Sequence, residues 1–125
     1  MSKINLECVL KSSEGTHKYE GKAVLKDGLI TYSDDGVVTK IFLDDIIKIQ
    51  RKKDYNMTLC FSLDKTILSE YITEHGIFSI SVKTLELERS DGNVRIKYIL
   101  TMNDNYVDTF LLNFKYSIDS DMKYV

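Results

Sequence analysis

The chain has 125 residues, 43% of them apolar and 29% charged, with a net charge of -2. That length supports one domain with a core of its own, without disulfides or metal. The near-neutral charge speaks against a nucleic-acid footprint, and no apolar run is long enough for a membrane-spanning helix. The opening stretch MSKINLECVLKSSEG alternates and lacks the apolar region of an export signal, so the expected compartment is the cytoplasm.

There is no proline, so Gly, Asp, Asn and Ser must punctuate the chain. Ile4, Leu6, Cys8 and Leu10 alternate with polar residues and predict a first strand. Tyr19, Gly21, Ala23 and Leu25 predict a second, and 29–33 a short third after Asp27-Gly28, a strong hairpin signal. Asp34-Asp35-Gly36 reads as a turn. Val37, Thr39, Ile41 and Leu43 make a fourth strand, and Ile47 and Ile49 a fifth. The segment 43–53 is the best helix candidate, but it is short and β-branched, which favours a strand. Met57, Leu59, Phe61 and Leu63 mark a sixth strand, and 67–73 a seventh. An eighth covers 77–89, and Asp91-Gly92 turns it into two long final strands. These carry Val94, Ile96, Tyr98, Leu100 and Met102, then Tyr106, Phe110, Leu112, Phe114 and Tyr116. Closely spaced strands with tight turns predict an all-β, antiparallel barrel or sandwich over residues 1–125, with Leu6, Met57, Leu59, Phe61, Ile80, Val82, Tyr98, Leu100, Phe110 and Leu112 facing inward.

The eighth strand slips phase. Phe78, Ile80 and Val82 share one parity, and Leu85 and Leu87 the other. A β-bulge at Lys83-Thr84 would return Leu85 to the core face beside Val82 and leave Lys83 exposed. A straight strand over 77–89 would be about 40 Å long, so it must coil, which favours a barrel over a flat sandwich.

The segment Tyr71-Ile-Thr73-Glu-His-Gly76, the triplet Val82-Lys-Thr84 and the hairpin VRIKYILTMNDNYVDTFLLNF resemble the YwiB-like family of small bacterial proteins of unknown function. The stretch EGKAVLKDGLITYSD and residues 39–51 fit the same strand order. The resemblance implies a calycin-like, lipocalin-type meander barrel of about eight to ten strands, and no activity.

Chemistry is sparse. His17 and His75 fall in different predicted turns, and no nucleophile–base pair or phosphate loop can be assembled. Asp44-Asp45 would point to opposite strand faces, and Asp119 and Asp121 form only an isolated D-x-D. Cys8 and Cys60 read as small buried hydrophobes, and Arg51-Lys52-Lys53 as a solvated turn. No catalytic residue, metal or cofactor is expected. Tyr19, Tyr71, Tyr98, Tyr106 and Tyr116 fall on apolar-parity positions, and these rings either fill the barrel or border a pocket. The pocket reading makes Met57, Phe61, Tyr71, Thr73 and Tyr98 the candidate residues for a small apolar ligand. The alternative is a protein-interaction module with a filled core, meeting a protein partner or a second copy through its outer face or an open edge.

Overall fold

The computed structural model describes residues 1–119 and holds ten strands: β1 (Ser2–Ser12), β2 (Gly15–Lys26), β3 (Leu29–Asp34), β4 (Val37–Leu43), β5 (Ile47–Lys52), β6 (Asn56–Phe61), β7 (Thr66–Thr73), β8 (Gly76–Ser90), β9 (Asn93–Met102) and β10 (Asn105–Ile118). Each pairs antiparallel with its chain neighbours, and β1 pairs with β10, so the meander closes into a barrel. The turns obey local chemistry. Asp27-Gly28, Asp35-Gly36 and Asn103-Asp104 all have positive φ at both positions, as a type I′ hairpin requires. Gly92 has φ +75°, and a Cβ there would stand 2.8 Å from the Tyr116 carbonyl oxygen, so the β8–β9 turn accepts only glycine.

The meander puts the β1–β2, β3–β4, β5–β6, β7–β8 and β9–β10 turns at one end, called here the mouth. The other end is closed. Ile4, Ile30, Ile47, Phe61, Ile96 and Phe114 are almost fully buried around its axis. Arg89 reaches across from β8 and donates to the carbonyls of Leu43 (2.8 Å) and Asp44 (2.6 Å). Asp44 and Asp45 thus lie in the β4–β5 turn and not on a strand.

Of the expected inward set, Met57 and Phe110 are half-buried and the other eight are buried. The β8 bulge is present one residue later than expected. Thr84 pairs with Tyr98 and Glu86 with Lys97, leaving Leu85 as the extra residue. Lys83 is exposed, Thr84 takes the inward position, and Leu87 returns to the interior opposite Ile96. The delay has a cause. The Thr84 amide donates to the Lys65 carbonyl and its own carbonyl accepts from Asp64, so pairing on that side runs to Thr84 and the slip falls on the next residue. A second bulge at Val107 separates Tyr106 from Asp108. It corrects the inward placement of Tyr106, which is 64% exposed, and turns Asp108 in instead. Cys60 is also corrected: it lies on the outer face, half-buried, opposite Lys48. Asp121 lies outside the described residues.

The weakest join is between β6 and β7, which pair only at Asn56–Ile72 and Met57–Tyr71. Below that point the Ser69 hydroxyl donates to the Thr58 carbonyl and bridges the gap.

Phe61→Ala should cost about 3–5 kcal/mol in urea unfolding, because Phe61 is fully buried among rigid strands. A loss under about 1 kcal/mol would contradict that packing. Thr84→Val should stabilise by about 1 kcal/mol, because the buried Thr84 hydroxyl has no hydrogen-bond partner among the described residues. A destabilised Val variant in the same assay would show that the hydroxyl is satisfied in solution.

Candidate binding site

Inward positions on paired strands form rows around the barrel. One row runs through direct cross-strand pairs from Tyr32 to Thr39, Arg51, Met57, Tyr71 and Phe78. Neighbours in such a row stand about 5 Å apart at Cβ. On the β6–β8 side aromatic rings fill the mouth: Tyr55 meets Tyr71 edge-on at 5.7 Å, and Tyr71 lies 6.1 Å from Phe78. Across the axis Tyr98 packs edge-on against Phe61 (4.8 Å) and stacks on Phe110 (5.3 Å).

The β1–β5 side is not filled. A cavity of about 70 Å³ opens there toward the mouth. Its floor is apolar, with Ile41, Ile49, Leu59, Leu112 and Phe114. Its upper wall carries Cys8, Tyr19, Tyr32, Thr39 and Arg51, with His17 and Asp34 at the rim. The volume is under half that of an engineered 150 Å³ cavity that takes benzene. It suits a very small molecule, or the tail of one whose head stays in the mouth.

The aromatic and small polar wall residues are held in place. Tyr19 stacks on Tyr32 at 4.5 Å and donates its hydroxyl to the Lys22 carbonyl (2.8 Å). Its ring lies over Gly21, where a Cβ would come 2.7 Å from the Tyr19 oxygen, so the glycine makes room for it. Burial pushes the Tyr32 phenol far above its ordinary range, and its hydroxyl bonds with Cys8 and Thr39. Burial also pushes the Cys8 thiol up to about 11, against a hydrogen bond from Tyr32 and the charge of Arg51, which pull it down. Tyr98 is raised by burial in the same way, with Arg51 again opposing. The Asp34 carboxylate lies 3.1 Å from His17 Nε2, within hydrogen-bonding distance.

Comparison with known proteins places this barrel. The model of a domain of unknown function, DUF1934, matches residues 11–114. The chain belongs to the DUF1934 family. Among solved structures the chain is similar to the crystal structure of the ywiB protein from Bacillus subtilis, with a TM-score of 0.58 over 92% of this chain and 90% of that one. At 13% identity that likeness concerns the fold. A search of curated proteins finds no match.

Within this DUF1934 barrel the five residues singled out from sequence part company. Tyr98 lines the cavity. Met57 and Tyr71 continue the Arg51 row along the filled side, and Phe61 lies beneath Tyr98. Thr73 serves the β7–β8 turn, accepting from the His75 amide (3.0 Å) and donating to the Gly76 carbonyl (3.1 Å). Sequence reasoning missed Tyr32, His17, Asp34 and Arg51 as wall or rim residues. The signal for Arg51 was present, since it continues the parity of Ile47 and Ile49 on a strand that runs to Lys52. It is therefore a strand residue facing the interior, and not part of a solvated turn.

The cavity makes a chemical prediction about the two free thiols. A maleimide at pH 8 should label Cys60 well before Cys8, because Cys8 is buried and its thiol is raised to about 11. Peptide mass spectrometry over a time course reads this. Equal rates would mean that the cavity wall opens freely to reagent.

Proposed function

We propose that this protein is a binding protein whose barrel takes a small, mostly apolar molecule into the unfilled half of its mouth. One observation carries the reading: the interior is packed on the β6–β8 side and hollow on the β1–β5 side, where an apolar floor meets a ring of polar groups. Ligand sites in small barrels have this composition, with apolar surface for affinity and a few polar groups for orientation. Tyr98 belongs to the wall of that site, and Met57 and Tyr71 to the packed side that bounds it. The reading assigns no catalytic step. Native mass spectrometry of protein purified from cells should show a small-molecule adduct, and Leu59→Phe, which fills the floor, should lose it. Protein that stays bare before and after incubation with cell metabolites would overturn the reading.

A second reading rests on the outer face of β7 and β8. Leu68 and Ile77 are 72% and 65% exposed there, beside residues 66–70, which have no ladder partner on β6. Identical strand edges can pair about a two-fold axis, so this reading is a homodimer. Light scattering should then show a dimer that Leu68→Asp dissociates, whereas a monomer at high concentration would overturn it.

A further inference from the structure

Resting on the pocket reading, we infer that the ligand carries a carboxylate, and that Arg51 is the residue that reads it. The chain has three arginines. Arg89 is occupied by the carbonyls of Leu43 and Asp44 at the closed end. Arg95 lies on the outer wall between Glu86 (3.7 Å) and Glu88 (3.6 Å). Arg51 alone faces the interior, on the cavity wall, and it makes no ion pair or hydrogen bond among the described residues.

That placement is costly. A guanidinium drawn toward an apolar interior gives up hydration, and a paired carboxylate is what ordinarily offsets the loss. The one acidic residue of the cavity, Asp34, is engaged by His17 and not by Arg51. The rim carboxylate is thus partnered by an imidazole, and the wall cation remains available. Arg51 stands directly opposite Thr39 on β4, and Thr39 opposite Tyr32 on β3. A carboxylate at this level would meet a planar fork of N–H donors, with the Thr39 and Tyr32 hydroxyls alongside. The apolar floor of Ile41, Ile49 and Leu59 would take a short hydrocarbon tail below it. The cavity volume of about 70 Å³ limits the tail that fits above the floor, and favours a short-chain acid over a long fatty acid.

The test compares butyrate with n-butanol, matched in length and different in charge, and adds decanoate as the long-chain arm. Binding is read by NMR shifts of Ile41, Ile49 and Tyr98 in the full chain at fixed ionic strength. Butyrate should bind more tightly than n-butanol by about tenfold or more, and Arg51→Met should abolish the difference while Arg51→Lys keeps part of it. Equal binding of butyrate and n-butanol would overturn the charge assignment and leave the pocket reading intact. A butyrate preference that survives in Arg51→Met, or a clear preference for decanoate over butyrate, would also overturn the inference. If no probe moves the cavity resonances, both the inference and the pocket reading fail. Should Arg51→Met not fold, Arg51→Gln takes its place, and the butyrate–butanol comparison on the unaltered protein stands by itself.

Discussion

The pairing of β1 with β10 is the constraint on which the rest of this molecule depends. Nine hairpin joins can form between chain neighbours, but the tenth must bring the two ends of the chain together. Eight register pairs do so, from Ile4–Ile118 to Lys11–Leu111. Both ends of that seam are fastened. At the mouth the Ser13 hydroxyl and amide donate to the Asp108 carboxylate, at 2.6 and 3.2 Å. At the closed end the Asp119 amide donates to the Lys3 carbonyl, and Lys22 lies 3.0 Å from the Asp119 carboxylate. Without closure the inward faces of ten strands would have no interior to share, and the sheet would expose two free edges. Such non-local pairing places the protein among slow-folding β topologies.

Closure also divides the interior. Toward the closed end, branched aliphatic residues interlock with Phe61 and Phe114, and Arg89 straps the opening. Toward the mouth the packing is uneven. The rings of Tyr55, Tyr71 and Phe78 occupy the β6–β8 side, and across the axis Tyr98 stacks on Phe110 above Phe61. The other side holds smaller or polar side chains, Cys8, Thr39 and the stacked Tyr19–Tyr32 pair, and these do not meet across the axis. The hollow also borders the join of β2 and β3, which pair only at Val24–Thr31, Leu25–Ile30 and Lys26–Leu29, so no ladder runs between these strands toward the mouth. The other short join, between β6 and β7, borders the packed side.

Most of the fold was legible because period-2 alternation and Asp-Gly turns are local signals. The phase slip in β8 was legible as well, because a strand that changes parity must either bulge or waste apolar surface. Its exact residue was not, since that depends on the Asp64 and Lys65 backbone, which reaches Thr84 only in the folded chain. The bulge at Val107 was hidden because Tyr106 sits on apolar parity either way. The site was harder to read. Tyr98 and Met57 fall on the apolar stripe that pattern reading seeks, whereas Arg51, Asp34 and His17 are polar residues at inward positions near strand ends. Charge there reads as solvated turn, and only ring closure shows that three strand ends converge on one cavity.

The central claim is that the hollow half of the mouth is a ligand site. A high-resolution crystal structure of the protein as purified from cells, with no small acid or alcohol in the buffers, tests it most directly. The account predicts a bound small molecule over Ile41, Ile49 and Leu59, with a polar head within hydrogen-bonding distance of Arg51 or Tyr32. A cavity collapsed by inward movement of Tyr19 and Tyr32, with Arg51 turned aside to pair with Asp34, would contradict it.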